Sequence, residues 1–201
     1  MEIFDKIEQG SEEWFSLRIG SIGGSSISSV VAGGKGIMRK NLLYRLAGEI
    51  LSGQKYESYQ NEHMLRGLEQ EAEARSLYEM MKDVDVQQVG LVKGSEHRHY
   101  SPDGLVGDDG LLEIKSTIPS IHIETIIQNE IPPEYRKQCQ WGLFICQRRW
   151  VDFVSYSPFV ADKPILIIRA GRDESLIKEL DEGADKFIMD MAVVIKKVKG
   201  K

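Results

Sequence analysis

The sequence has little of what marks several special classes of protein. It contains two cysteines, Cys139 and Cys146, which lie in one apolar, helix-like run. That number suits buried, reduced thiols better than a disulfide framework or a zinc site. No stretch approaches the roughly 20 apolar residues that span a bilayer, and the first residues have neither the basic nor the apolar region of a signal peptide. We therefore expect a cytoplasmic protein with no membrane partner.

A basic excess is also lacking, since 31 acidic residues stand against 26 basic ones and the formal net charge is −5. A protein that coats nucleic acid needs a basic surface to neutralise phosphates, so this balance argues against that class. It does not exclude a nucleic-acid enzyme, because a site for divalent cations requires carboxylates. The length of 201 residues and the 41% of hydrophobic residues fit one domain over residues 1–201.

Helical patterns fill the first part of the chain, and strand patterns begin near Val84. Apolar spacing and capping residues predict helices at 11–17, 41–52, 61–81, 121–129, 134–146 and 173–194. A further short helix is predicted to begin at about residue 25 and to end at Gly33 and Gly34. Strands are predicted within 84–91, at 101–106 and 111–115 around a turn at 107–110, and at 150–156 and 165–169. Strands bracketed by helices indicate an α/β or mixed α+β domain, in which helices flank a small central mixed β-sheet.

The strongest local signal is Glu113-Ile114-Lys115, in the second strand of the predicted hairpin. The two-residue period of a strand places Glu113 and Lys115 on one face and Ile114 on the other. Pairing across the turn can bring the carboxylate of Asp103 near that of Glu113. With the Ile114 carbonyl, these groups are the hard oxygen donors that Mg²⁺ prefers. The alternative is a solvated hairpin in which Glu113 and Lys115 form a weak surface ion pair.

A third carboxylate, Glu71, lies on the predicted helix at 61–81. At about 100° per residue, Glu71 points to the apolar face that also carries Ala74 and Tyr78. An unpaired charge there would cost several kcal/mol, and a bound metal ion would relieve that cost. An ion pair with Arg75, four residues further on, would do the same. The sequence alone leaves both explanations open.

Arg18 precedes a turn rich in glycine and serine at residues 20–26. Exposed backbone N–H groups, a serine-capped helix start and a guanidinium together can form an anion or phosphate pocket. Any capped helix preceded by an arginine would give the same pattern, so this indication is weak by itself.

Five sequence runs together resemble one known family. They are Trp14-Phe15-Ser16-Leu17-Arg18-Ile19-Gly20, the run from Arg66 to Arg75, Ser101-Pro102-Asp103-Gly104, Leu112-Glu113-Ile114-Lys115 and Gln138-Cys139-Gln140-Trp141. Their order and approximate spacing resemble the lambda exonuclease family, the YqaJ-like viral recombinases. That family belongs to the nucleases with a PD-(D/E)xK core, so the resemblance implies a restriction-endonuclease-like fold. It covers roughly residues 10–158, and the remaining strand and helix are compatible with it.

The resemblance implies a metal site and a catalytic lysine. Asp103 and Glu113 would hold a catalytic Mg²⁺ with help from the Ile114 carbonyl, and Mn²⁺ would be able to substitute. Glu71 would contribute to the same site or to a second ion. Lys115 would orient or activate the attacking water, or offset negative charge in the transition state, a role that suits a compact ammonium group.

The resemblance also implies contacts with DNA. Gln138 and Gln140 match the glutamine motif of the family, and Gln140 is expected to be the better placed to contact the substrate or Lys115. Arg18 and Ser25 match the residues that hold the 5′-phosphate at a DNA end. Met64 occupies the position of an apolar wedge that helps to separate the terminal base pairs.

One departure from the family pattern concerns the phosphate pocket. Relatives often carry a hydroxyl group where this chain has Gly23, so backbone amides, Ser21 or Ser26 would have to compensate. The departure bears on how strongly the protein prefers a 5′-phosphate. The expected metal-binding residues are all present.

The resemblance implies a Mg²⁺-dependent deoxyribonuclease of bacterial or phage-infected cells. It would degrade one strand of duplex DNA from the 5′ end, release 5′-mononucleotides and leave 3′ overhangs for recombination. The family further implies a ring-shaped homotrimer around DNA and a single-strand annealing protein as partner. An endonuclease or repair nuclease with the same core is the main alternative. A catalytically silent DNA-binding module and a transition-metal enzyme that uses His97 and His99 are two others.

Overall fold

The computed structural model describes residues 1–32, 36–55 and 62–200, without the side chains of 62–66 and 68. The helices in these ranges are α1 (Glu12–Leu17), α2 (Ile27–Val31), α3 (Ile37–Ser52), α4 (Glu62–Lys82), α5 (Pro119–Gln128), α6 (Pro133–Ile145) and α7 (Glu174–Val198). A 3₁₀ turn at Gly24–Ser26 precedes α2. Among the described residues, no helix is both long enough and apolar enough to cross a membrane.

The helix boundaries agree with the sequence predictions to within four residues. The two largest differences are the end of α7, at Val198 instead of about residue 194, and the start of α3. Helix α3 begins at Ile37, whereas the sequence predicted residue 41. Ile37 and Met38 are both exposed, so the first turn of α3 carries no apolar pattern that would have marked it. The predicted helix end at Gly33 and Gly34 and the predicted start at Asn61 lie outside the described residues.

The strands form two sheets. They are β1 (Glu2–Phe4), β2 (Val86–Gln87), β3 (Leu91–Ser95), β4 (Arg98–Tyr100), β5 (Gly104–Val106), β6 (Gly110–Ser116), β7 (Trp150–Tyr156) and β8 (Ile165–Gly171). The larger sheet has the order β2-β5-β6-β7-β8 and is mixed, because β6 and β7 pair in parallel while its other pairs are antiparallel. This arrangement confirms the predicted mixed sheet flanked by helices.

The smaller sheet, β1-β3-β4, was not expected from the sequence. Strand β1 has only three residues and pairs with β3 near Val92, far along the chain. A strand this short has too few residues to show a period of two.

Both faces of β6 are covered, which explains its nearly continuous apolar sequence. Leu111 packs in a core that includes residues of α2, α3, α6 and α7, whereas Leu112 and Ile114 pack with Ala74 and Tyr78 of α4. A charged residue in such a strand has to find its partners inside the protein. Glu113 is that residue, and its side chain is on the same face as Leu111.

The segment that follows Arg18 crosses to strand β4. Gly20 has a φ of +61°, and a Cβ atom at this position would overlap the side chain of Ile50, so both the backbone and the packing favour glycine. Ile22 then exchanges backbone hydrogen bonds with the His97 carbonyl and the His99 amide, at 2.9 and 3.0 Å. These bonds fix the Arg18 segment against β4.

Candidate active site

Glu113 lies at the centre of the candidate site and is 1% exposed. Its carboxylate accepts hydrogen bonds from three side chains. Lys115 Nζ donates to Oε1 at 2.5 Å, Gln138 Nε2 donates to the same oxygen, and the Tyr100 hydroxyl donates to Oε2. The period of two along β6 thus brings Glu113 and Lys115 together as expected. The pair is not the surface ion pair of a solvated hairpin, because Glu113 is buried and held by two further donors.

Asp103 lies at the start of β5, next to Glu113. The register that pairs Gly104 with Leu112 places the two carboxyl-bearing residues side by side across the hairpin. The Ile114 amide donates to Asp103 Oδ2 at 2.5 Å. Loss of solvent and the neighbouring negative charge of Glu113 raise the pKa of Asp103 well above its ordinary value. A cation near Asp103 would relieve both effects.

Glu71 approaches from α4 and forms the ion pair with Arg75 that the sequence offered as an alternative, at 2.5 Å. Arg75 also donates from Nε to the backbone carbonyl of Asp103 at 3.0 Å, and so ties α4 to the hairpin. Burial raises the pKa of Glu71 despite the opposing charge of Arg75. Glu71 is also one of the charges that raise the pKa of Asp103, so it lies within electrostatic range of the site while it is paired.

Lys115 remains a cation in this environment. Burial disfavours its charge, but the carboxylates of Glu113 and Asp103 outweigh burial and raise the pKa of Lys115. Its ammonium group is also 5.5 Å from the centre of the Tyr135 ring, a distance at which the ring favours positive charge. The ammonium group can donate hydrogen bonds and stabilise negative charge.

The donor chemistry of the site fits a hard divalent cation. Asp103 and Glu113 supply carboxylate oxygens, and Ile114, which follows Glu113 in β6, supplies a carbonyl. Across the described ranges, no three histidine, cysteine, aspartate or glutamate side chains converge closely enough to hold an ion by themselves. Mg²⁺ does not need three, because it is usually bound through one or two carboxylates, several waters and the phosphates of the substrate.

A pocket of about 410 Å³ adjoins the acidic residues. Glu71, Arg75 and Asp103 line one part of it, and Gln9 and Pro102 line another. The Gln9 amide is fixed there by donation to the carbonyls of Val89 and Pro102 at 3.2 and 3.1 Å. The site is therefore open on the side where Glu71 and Asp103 lie.

The two glutamines of α6 have different surroundings. Gln138 donates to Glu113. Gln140 is buried, donates to the Gly171 carbonyl at 2.9 Å and accepts from the Asp173 amide at 2.8 Å. Residues two positions apart on a helix point in directions that differ by about 200°, so Gln138 and Gln140 face different elements. The expectation that Gln140 would contact Lys115 is wrong, because both ends of its amide are bound by the backbone around the start of α7.

Arg18 lies at the end of α1 and is held by two aromatic side chains. The Trp14 ring covers its guanidinium at 3.6 Å, and Nε donates to His99 Nε2 at 3.0 Å. Burial lowers the pKa of Arg18 to about 10, although Glu49 opposes the shift. The guanidinium is still charged near neutral pH, and its partly desolvated charge would be stabilised by an anion.

Ser25 and Met64 are the remaining residues predicted to contact the DNA end. Ser25 is exposed in the 3₁₀ turn at Gly24–Ser26. The side chain of Met64 lies outside the described part of the chain, so its expected role as a wedge stays a prediction.

Strand β4 contributes two supporting residues that the sequence analysis did not identify as such. His99 and Tyr100 are neighbours, so their side chains point to opposite faces: His99 contacts Arg18 and Tyr100 contacts Glu113. The alternation of His97 and His99 was visible in the sequence but suggested a metal site. In the structure, His97 Nδ1 is 3.0 Å from the Gly20 carbonyl oxygen instead. No local pattern distinguishes Tyr100 from an ordinary core tyrosine.

The fold and this site together define a nuclease. A family model, the YqaJ-like viral recombinase domain, matches residues 13–149. The chain belongs to this family.

Solved structures agree with this assignment. An alkaline exonuclease from Laribacter hongkongensis, LHK-Exo, is 35% identical with a TM-score of 0.86, and the match covers 94% of this chain and 96% of that one. The structure of LHK-Exo in complex with dAMP gives 36% identity and a TM-score of 0.88 over the same shares of the two chains. A phage-related exonuclease from Haemophilus somnus 129PT shares the fold at 15% identity, with a TM-score of 0.68 over 89% of this chain and 96% of that chain. Comparison with curated proteins gives no match.

Proposed function

We propose that the protein is a divalent-metal-dependent exonuclease that degrades one strand of duplex DNA from its 5′ end. It releases 5′-mononucleotides and leaves 3′ overhangs for single-strand-annealing recombination. The observation that carries the proposal is the cluster of Asp103, Lys115 and the buried Glu113, with Gln138 bound to the carboxylate of Glu113. The solved complex of the relative LHK-Exo with dAMP supports a mononucleotide product.

The carboxylates of Asp103 and Glu113, with the Ile114 carbonyl, would hold the metal. Glu71 would contribute to the same site or to a second ion once it turned from Arg75. We propose Mg²⁺ as the natural ion, with Mn²⁺ able to replace it, because all the donors are oxygens. A bound ion of this kind polarises the scissile phosphate and lowers the pKa of the attacking water.

The residues around the metal ligands orient the reactants. Lys115 would orient or activate the attacking water, or donate hydrogen bonds from its ammonium group and so stabilise the extra negative charge on the phosphate as the water attacks. Gln138 holds Glu113 and can also donate to a phosphate or to the water. Gln140 has no part in this chemistry; it holds α6 against the start of α7.

The 5′ polarity would come from Arg18, with Ser25 as a second contact. A terminal phosphate carries more negative charge than an internal phosphodiester. A partly buried guanidinium whose Nε and one face are already occupied therefore favours it over a hydroxyl end. By similarity to the family, Met64 would separate the terminal base pairs. A homotrimeric ring and an annealing protein as partner are further parts of the proposal that come from the family alone.

The test is a time course on linear duplexes labelled at the 5′ or the 3′ end, with Mg²⁺, Mn²⁺ or EDTA. From 5′-labelled DNA we expect labelled mononucleotide at the earliest times. The 3′-labelled strand should shorten progressively and release its label only at the end of digestion, and EDTA should abolish all products. Asp103→Asn and Lys115→Met should stop release, whereas Asp108→Asn, in the exposed hairpin turn, should not.

Closed circular DNA distinguishes the main alternative. An exonuclease leaves a covalently closed plasmid intact while it degrades the same plasmid after linearisation. Nicking or cutting of the closed circle by the wild type but not by Asp103→Asn would identify an endonuclease instead. Light scattering of the purified protein in solution tests the trimer.

A further inference from the structure

His99 is buried to 2% exposure and fixed from several sides. Its amide donates to the Ile22 carbonyl at 3.0 Å, and its carbonyl accepts from the Trp141 indole at 3.2 Å. Its ring contacts Arg18 through Nε2 and the Ser21 hydroxyl through Nδ1, at 3.0 and 2.8 Å. The imidazole therefore has one defined orientation.

The protonation of the ring follows from its partners. Arginine has only donors, so Nε2 must accept the Arg18 Nε–H, and the single ring proton lies on Nδ1, which donates to Ser21. Burial, and after it the charge of Arg18, lowers the pKa of His99 well below its ordinary value, so the ring stays neutral. A neutral imidazole can accept from Arg18 without repelling it.

Gly23 provides the space for this ring. A Cβ atom at position 23 would lie 2.6 Å from His99 Nε2 and 3.0 Å from Cε1. Any other residue at 23 would push the imidazole away from Arg18. The imidazole thus occupies the volume that a side chain at position 23 would need. The atom nearest to that position is Nε2, which also contacts the guanidinium of Arg18.

We propose that His99 is a positioning residue for Arg18: it holds Nε and so directs the terminal nitrogens of the guanidinium toward the 5′-phosphate of the DNA end. Trp14 covers one face of the same group, so Arg18 is restrained in position and in rotation. This inference rests on the proposed function, because it presupposes that Arg18 binds a terminal phosphate. It adds an explanation of how the guanidinium of Arg18 is oriented.

The test compares kcat/KM on duplexes with 5′-phosphate and 5′-hydroxyl ends. His99→Leu fills the space without an acceptor and should lower the phosphate-to-hydroxyl ratio by about tenfold, the scale of a hydrogen bond to a charged group. His99→Gln can place an amide oxygen near the position of Nε2 and should restore most of the ratio. The control is His122→Leu, which removes another buried histidine with two hydrogen bonds, to Ser155 and the Lys163 carbonyl. It should leave the ratio unchanged.

A double variant shows whether His99 acts through Arg18. Arg18→Ala should reduce the ratio, and Arg18→Ala with His99→Leu should reduce it no further. If His99→Leu keeps the wild-type ratio while Arg18→Ala loses it, the role of His99 is overturned and the phosphate pocket stands. If the wild type degrades DNA ends but Arg18→Ala keeps the ratio, the pocket and the role of His99 are both overturned. If no end-dependent degradation occurs, the proposed function itself fails.

Discussion

Gly142 of α6 lies against the ring of Tyr100, and its replacement tests how tightly the core fixes the candidate site. A Cβ atom at 142 would lie 2.6 Å from Tyr100 Cζ and 2.7 Å from Leu111 Cδ2. The ring has little room to adjust, because Gly24 packs so closely on another edge that a Cβ atom there would overlap it, and its hydroxyl is bound to Glu113. We expect Gly142→Ala to destabilise the protein and to displace Tyr100 from Glu113.

The magnitude follows from two opposing terms. Insertion of a methyl group into a packed core costs about 1–3 kcal/mol, whereas alanine gains about 1 kcal/mol over glycine within a helix. Gly48 of α3 provides the matched control, because it is exposed and nothing described lies within 4 Å of its ideal Cβ position. Gly48→Ala should therefore show only the gain from the higher helix propensity of alanine.

The helix term cancels between the two variants, so Gly142→Ala should be less stable than Gly48→Ala by about 1–3 kcal/mol. For a chain of this size the difference corresponds to roughly 2–12 °C in Tm. Urea unfolding of the wild type and of both variants, fitted with one common m-value, measures this difference in the free energy of unfolding. A Gly142→Ala variant as stable as Gly48→Ala would refute the packing around Tyr100. Nuclease activity in Gly142→Ala should fall as Tyr100 is displaced from Glu113.

Three further predictions concern the charged and titratable groups. Asp103→Asn should lower turnover by at least about 100-fold. In thermal unfolding, Mg²⁺ at 100 times its Kd should stabilise the wild type by about 2.7 kcal/mol, and Asp103→Asn should lose most of this stabilisation. An equal Mg²⁺-induced shift in Tm in both proteins would contradict the metal assignment. Lys115→Met should lower initial rates by a similar factor at every pH from 6 to 9, because the raised pKa of Lys115 keeps it charged throughout; a loss confined to high pH would indicate a base. Burial, followed by the charges of Arg18, Lys55 and Lys93, lowers the pKa of His99 well below its ordinary value of 6.5. Below pH 6.5 the unfolded chain therefore binds a proton at His99 that the folded chain does not bind. Stability should therefore fall on acidification by up to about 1.4 kcal/mol per pH unit from this group, and His99→Gln should show a smaller fall than the wild type in urea unfolding at pH 7.5 and 5.5.

The sequence was sufficient for the parts of the site that depend on short-range periodicity. Glu113 and Lys115 share a face because strands have a period of two, and the turn at 107–110 sets the register that brings Asp103 beside them. The helix phase of Glu71 indicated both a buried environment and the partner Arg75. These relations involve residues close in sequence or joined by one hairpin.

The remainder depends on packing that no local pattern records. Gln138 and Gln140 belong to one helix, and which of them faces β6 is decided by how α6 lies on the sheet. The contact of Arg18 with His99 joins residues 81 positions apart and requires the segment at Ile22 to bridge to β4. Strand β1 is too short to show a period, and it forms only against β3.

The adjacency of His99 and Tyr100 has a geometric consequence under the proposed function. His99 contacts the arginine that would hold the end of the DNA strand, and Tyr100 contacts the carboxylate that would hold the metal ion. Their α-carbons are separated by one peptide unit of about 3.8 Å, a length that covalent geometry fixes. The two supporting residues therefore cannot move apart along the backbone. Under the proposed function, a shift of β4 would carry the supports of the phosphate pocket and of the metal site together.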